Sequence, residues 1–319
     1  MRALVLGGTG WLGSVIVRDL VASGVEVTCM ARGESGAVPD GARWVPADRL
    51  APDAYDPVRG EWDEVIELSH EPELVRPALA ELADSAAHWT LVSTVSVYAR
   101  NDEPGADESA GVVEPTDLTA YPDAKVAAER SSTDWLGPRL LIARPGLIVG
   151  PGDPSDRFGY WPARLSKGGP ALVPTSAGRF VQVIDVADLS SWISRVAREG
   201  RVGIVNTVGD VVPMRAFFDR VAAVTRFDGT LVEVEDEVLL ANDVRFWAGP
   251  RSLPLWLPLA DAALARRSAR TFQDAGGRLR PLEATVADVL ADERSRGLDR
   301  PRGAGLTTAE EQRLLQTLR

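Results

Sequence analysis

Apolar residues along the first two hundred positions come in short bursts separated by longer stretches with helical spacing. Ala3–Leu6 is one burst and ends in glycines, Trp11–Ala22 carries apolar side chains at helical intervals, and Val25–Met30 is a second burst of strand length. The alternation continues. Trp44–Pro46, Glu64–Leu68, Thr90–Val95, Leu140–Ala143 and Ile204–Asn206 read as strands, with helices between them such as Glu73–Asp84 and Lys125–Trp135. Repeated strand–helix–strand order predicts an α/β fold with a Rossmann-type, doubly wound and mostly parallel sheet.

Past residue 150 the pattern changes. "VGPGDPSDRFGYWP" and "SKGGPALVPTSAGRF" are rich in glycine and proline and read as loops around one short helix, while Pro213 to Glu293 mixes helix, loop and large aromatics. The expected organisation is a sheet domain of residues 1–152 and 179–212, a smaller mixed substrate-binding cap of residues 153–178 and 213–298, and a C-terminal linker and helix at 299–319. In that tail Thr308 precedes Glu311 by three residues, the signature of a capped helix start.

The 319-residue chain carries a formal charge of −11, which disfavours a nucleic-acid surface and points to a small-molecule partner. Cys29 is the sole cysteine, which excludes an internal disulfide and a thiolate cluster. His70 and His88 have no partner at ligand spacing, so no metal is expected. The N-terminal "ALVLGGTGWLGSVIV" superficially resembles a secretory signal but has no small-residue cleavage site, and no run of about 18 apolar residues occurs elsewhere. The protein therefore reads as soluble, cytoplasmic and without a membrane partner.

"LVLGGTGWLG" spaces Gly7, Gly10 and Gly13 three apart between the first strand and the first helix. Such glycines permit a tight bend, close approach of backbone to a pyrophosphate, and close packing of helix on strand. The whole turn, with Thr9, Trp11 and Leu12 between its glycines, is read as dinucleotide-binding. An acid at the tip of the second strand would accept hydrogen bonds from ribose hydroxyls and repel a 2′-phosphate. Here the tip is Ala31 followed by Arg32, whose guanidinium suits a 2′-phosphate. NADP(H) is the expected cofactor, with NAD(H) as the alternative.

Basic charge is almost entirely arginine. Of 35 Lys+Arg, only Lys125 and Lys167 are lysines, and Lys125 stands four residues after Tyr121 in "TAYPDAKVAAE". On a helix the two face the same side. A phenol of pKa about 10 exchanges a proton at about pH 7 only if its phenolate is stabilised by about 4 kcal/mol. A neighbouring ammonium supplies part of that through charge.

With these residues in place, the chain resembles the extended short-chain dehydrogenase/reductase family, which includes sugar-nucleotide epimerases and dehydratases. The resemblance reaches about residue 295 and rests on "GGTGWLG", "VSTVSVY", "YPDAK", "RPGLIVGPGD", "VQVIDVADL", "GIVNTVG" and "GGRLRPLEATVADVL" in that order. It implies hydride transfer between nicotinamide C4 and a secondary alcohol or ketone. In that scheme Tyr121 is the acid/base, Thr94 fixes the reacting oxygen, and Lys125 binds the nicotinamide ribose and depresses the tyrosine pKa. It also implies Asp48 near the adenine, Arg144 and Pro145 beside the nicotinamide, and a homodimer through the helix carrying Tyr121.

The chain departs from this pattern in two places. Dehydratases of the family carry an acid pair after the catalytic threonine; here Val95 and Ser96 stand there as candidate substrate contacts, so a 4,6-dehydratase is not expected. The arginine that grips a sugar-nucleotide diphosphate is replaced by Val181, with Arg179 two residues earlier on the same face of a strand. The cap offers Tyr160, Trp161 and Trp247, along with Phe158, Phe246 and Trp256, which suit a bulky, partly apolar substrate. The expected function is an NADP(H)-dependent ketone reductase or secondary-alcohol dehydrogenase. A sugar-nucleotide epimerase or reductase, and a non-catalytic NADP-binding regulator, are the alternatives. The arginine bias fits a high-GC genome, in which such reductases often serve secondary metabolism.

Overall fold

The computed structural model describes residues 1–317, and its central strand shows why the apolar bursts fold as they do. β1 (Arg2–Leu6) removes Ala3, Leu4, Val5 and Leu6 completely from solvent on both faces, which requires cover from helices on both sides. The strands that follow are β2 (Glu26–Ala31), β3 (Arg43–Pro46), β4 (Glu64–Glu67), β5 (Trp89–Val92) and β6 (Leu140–Pro145). Together with Gly203–Thr207 they form a seven-stranded parallel sheet in the order Gly203–Thr207, β6, β5, β4, β1, β2, β3. The chain runs outward from β1 to β3 and then returns to β4 on the other side of β1. That reversal opens a crevice at the carboxyl ends of β1 and β4.

α1 (Trp11–Ala22) buries Gly13, Ile16, Val17 and Leu20 and packs beside the helix Val186–Glu199. α2 (Pro72–Leu82) packs beside α3 (Tyr121–Leu136), closing a core that contains Leu4, Val65, Leu79, Trp89, Leu136 and Ile142. α3 begins at Tyr121, four residues before the helix expected from periodicity, because Pro122 sits in the first turn where its missing N–H costs nothing. β5 ends at Val92, short of the expected Val95. Thr94 leaves the sheet, and its Oγ1 accepts the Ser96 N–H at 3.1 Å to cap the single turn Val95–Val97.

The chain divides into two compact units. One comprises Met1–Ile148, Val186–Gly209 and Arg267–Arg278; the other comprises Val149–Asp185, Asp210–Arg266 and the chain from Leu279. Within the second, the helices Arg157–Leu165, Met214–Thr225 and Leu282–Arg296 pack around Phe158, Trp161, Phe217 and Phe218. Its last helix, Thr308–Thr317, is capped one position earlier than the sequence signature indicates. Thr307 Oγ1 accepts the Glu310 N–H at 3.3 Å, and the Glu310 carboxylate accepts the Thr307 N–H at 2.8 Å. Glu311 instead pairs with Arg164 and accepts the Leu172 N–H. Among the described residues no helix is long and apolar enough to cross a membrane.

At the amino end of β4, Glu64 is fully buried against the Nδ1 of His88, whose Nε2 lies 2.7 Å from the Arg201 carbonyl. Burial opposes the imidazolium, but the hydrogen bond and charge of Glu64 outweigh it and hold His88 above the usual histidine range. His88→Leu should therefore cost about 3–5 kcal/mol of stability by stranding a buried acid, while Glu64→Leu/His88→Leu should recover most of it. Urea denaturation of the two variants measures both values.

Candidate active site

Gly7 has a φ of +94°, which turns the chain sharply off β1, and the Gly10 N–H returns to the Gly7 carbonyl at 3.1 Å. A Cβ on Gly13 would lie 2.4 Å from that same carbonyl and 2.8 Å from the Leu68 side chain, so α1 approaches β1 this closely only with glycine there. The N-cap of α1 is Gly10, which brings no capping side chain, and no acid occupies the first turn. An anion placed there meets helix amides and the positive end of the helix dipole.

A cavity of about 450 Å³ opens beside this turn. Gly7, Thr9, Gly10, Arg32 and Asp48 line it, together with Leu68, Ser69 and His70 from the end of β4. Its lining joins the glycine-rich turn to residues that follow β2 and β3, so the turn could hold a phosphate group at one wall of the cavity. Asp48 also accepts the Leu50 N–H at 3.1 Å, and Arg32 pairs with Glu34 at 3.3 Å. Trp11 and Leu12 are half-buried at the start of α1, and Pro145 is buried at the end of β6.

Tyr121 and Lys125 lie one turn apart at the start of α3 but in different surroundings. Tyr121 is 45% exposed, with its ring edge-to-face against His70 at 5.1 Å between centroids. Lys125 is 3% exposed, and its Nζ donates to the carbonyls of Val92 at 2.6 Å, Ser69 at 3.0 Å and Leu68 at 3.5 Å. Burial pushes the ammonium down to about 8, against the pull of the Glu67, Glu71 and Glu129 carboxylates. Thr94 is two residues beyond Val92 and mostly buried. Its hydroxyl lies 3.2 Å from that of Ser96, and Val95 is buried in the same turn.

Arg144 is directed into a buried network. Its guanidinium grips both Glu129 oxygens at 2.7 and 3.0 Å and donates to the Tyr98 hydroxyl at 3.0 Å, while Ser93 Oγ donates to Glu129 at 2.5 Å. In the second unit, Trp161 is fully buried with its indole N–H on the Pro254 carbonyl, and Tyr160 packs edge-on against it. Arg179 is bonded to the Leu257 and Thr175 carbonyls and to Asp236. Trp247 has a left-handed backbone, and the Arg157 guanidinium lies over its ring. Sequence reasoning missed Leu68, Ser69 and His70. The signal was available, since Leu68 ends a predicted strand and Ser69 and His70 follow it, at the edge where ligands of doubly wound sheets bind.

Residues 3–209 match the model of the NAD dependent epimerase/dehydratase family. The chain belongs to that family. It is an NAD(P)-dependent enzyme of the short-chain dehydrogenase/reductase type. Within the family it is similar to the 2′-dehydrokanamycin reductase of Streptomyces kanamyceticus, at 26% identity over 90% of this chain and 84% of that protein. It is also similar to the human epimerase family protein SDR39U1, at 26% identity over 65% of this chain and 74% of that one. Among solved structures, the UDP-glucose 4-epimerase of Thermus thermophilus in complex with NAD aligns with a TM-score of 0.66 at 19% identity, covering 93% of this chain and 100% of that one. TunA, an NAD-dependent NDP-hexosamine 5,6-dehydratase of tunicamycin biosynthesis, aligns with a TM-score of 0.71 at 18% identity, covering 94% and 99%. These likenesses establish the fold.

The depressed Lys125 predicts a pH dependence of stability. Between about pH 8 and the unfolded-state value of about 10.5, the unfolded chain binds the proton that the folded chain has released, so Lys125's contribution to stability rises with pH across that window. Relative to Lys125→Met, the wild type should gain on the order of 3 kcal/mol over this range, with no change of slope below it. Urea denaturation of both proteins at stepped pH tests this.

Proposed function

We propose that the protein is an NADP(H)-dependent reductase of a ketone, or in reverse a dehydrogenase of a secondary alcohol, on a bulky small metabolite, with Tyr121, Lys125 and Thr94 as its catalytic groups. Lys125 carries this reading. It is buried one turn after a half-exposed tyrosine, and its acceptors Leu68 and Ser69 line the dinucleotide cavity.

When bound, the nicotinamide supplies the hydride for reduction and accepts it in the reverse direction. Tyr121 holds the proton that the carbonyl oxygen takes up, and the ammonium of Lys125 favours the phenolate left behind. The Thr94 hydroxyl donates to the same oxygen and polarises it before reaction. Lys125 acts through its charge, since its N–H groups are held by the carbonyls of Leu68, Ser69 and Val92. Arg32 at the cavity wall, with no acid at the tip of β2, supports NADP(H) over NAD(H).

The relative from Streptomyces kanamyceticus is named a reductase and matches 90% of the chain, which supports reduction and a place in secondary metabolism. A homodimer through α3 belongs to this reading and is supported by Trp135, half exposed on that helix. The likeness to a UDP-glucose 4-epimerase favours a second reading, sugar-nucleotide epimerisation. Against it, the guanidinium of Arg179 is committed to Asp236 and two carbonyls rather than available to a diphosphate.

With NADPH and a panel of ketones, Tyr121→Phe should lower turnover by about a hundredfold or more while NADPH binding stays near wild type. Retained turnover would remove Tyr121 from the mechanism. UDP and TDP should leave the melting temperature unchanged, and a saturable rise with either would favour the epimerase reading.

A further inference from the structure

The tip of β2 is held by a residue that the cofactor reading leaves unused. Trp44 stands on the edge strand β3, opposite Cys29 in register, with 48% of its surface exposed. Its indole N–H donates to the carbonyl of Ala31, the last residue of β2, at 3.1 Å. Its six-membered ring covers Gly33: a Cβ at that position would lie 2.8 Å from Cζ2. Gly33 has a φ of +86°, so the backbone between Arg32 and Glu34 adopts a left-handed bend beneath which only an indole-sized plate is seated. Farther along, a Cβ on Gly36 would lie 3.0 Å from the Thr9 carbonyl, so the far end of the same turn packs against the glycine-rich turn.

These contacts clamp residues 31–36 at both ends and leave Arg32, Glu34 and Ser35 along the cavity wall. The direct contact at Arg32 is weaker. Its partner is Glu34 at 3.3 Å, and both side chains are more than 60% exposed, so solvent screens the pair and it holds the turn poorly. The fixed part is the backbone, and the indole fixes it.

We propose that Trp44 is a positioning residue for cofactor selection, holding the Ala31–Gly36 turn so that Arg32 is presented to the 2′-phosphate of NADP(H). A side chain outside the cavity lining thereby governs discrimination between two cofactors that differ by one phosphate. The inference rests on the NADP(H) reading above. It acts through conformational entropy: a turn already ordered pays less to bring a flexible guanidinium to its ligand.

The test uses the full chain and direct titration with NADPH and NADH, followed by nicotinamide fluorescence, together with amide hydrogen exchange of residues 32–36 in the cofactor-free protein. Trp44→Ala should weaken NADPH about tenfold and NADH less than twofold, and should speed exchange in the turn about tenfold. Trp44→Phe keeps a ring over Gly33 and loses the N–H, and should fall between Trp44→Ala and wild type. Equal weakening of both cofactors, or an unchanged ratio, overturns the proposal. Arg32→Asp separates the two levels: if it leaves the NADPH/NADH ratio unchanged, the NADP(H) reading itself fails. If it collapses the ratio while Trp44→Ala does not, only the role of Trp44 fails.

Discussion

The ammonium of Lys125 is the tie on which the sheet-side architecture of the site depends. A buried cation is tolerable only where oxygen surrounds it, and here three backbone carbonyls do so, from Leu68 and Ser69 after β4 and from Val92 at the end of β5. Those carbonyls lie at or just beyond the carboxyl ends of β4 and β5. One side chain from α3 thus satisfies two neighbouring strands and sets where the helix begins relative to the sheet edge. Tyr121 inherits its position from that anchoring, since it lies one turn before Lys125 on the same helix.

Several carboxylates lie near that cation, and most are already spoken for. Glu67 is taken by Arg49, whose Nη1 donates at 3.0 Å, and Glu129 by the fork of Arg144. Glu71 accepts from the Ser69 hydroxyl and from the His70 N–H. Each acid is held by its own donor, so the carboxylates pull Lys125 upward through charge at a distance while its N–H groups go to carbonyls. The lysine keeps carbonyl partners and a depressed affinity for its proton. The Arg144 network has a second consequence. By fixing Ser93 through Glu129, it holds the residue immediately before Thr94, and Tyr98 extends the same network to Asn206 at 2.7 Å.

Much of this was legible in the chain. The order of strands and helices followed from alternating apolar bursts, because the central parallel strands must be buried on both faces and each helix on one. The glycine spacing announced the turn because Gly13 has no alternative at 2.4 Å from a carbonyl. Boundaries were less legible where a side chain competed with the ladder. Thr94 left β5 to cap a turn with its own hydroxyl, and Thr307 rather than Thr308 took the cap of the last helix. Both are local contests between near-equal hydrogen bonds.

Periodicity, glycine spacing and a lysine four residues after a tyrosine are properties of neighbours along the chain, so the sequence alone determined the parallel sheet, the glycine-rich turn and the helix bearing Tyr121 and Lys125. The commitments of long side chains are made across dozens of positions, and only the tertiary structure decided them. It directed Arg144 to Glu129 and Tyr98, committed Arg179 to Asp236, buried Trp161 in a core, and laid Trp44 across Gly33. It also brought Leu68, Ser69 and His70 to the cavity wall. The physical reason is the same in each case: a guanidinium or an indole is satisfied by whichever acceptor or surface the fold brings within reach, and that partner is set by packing rather than by spacing along the chain.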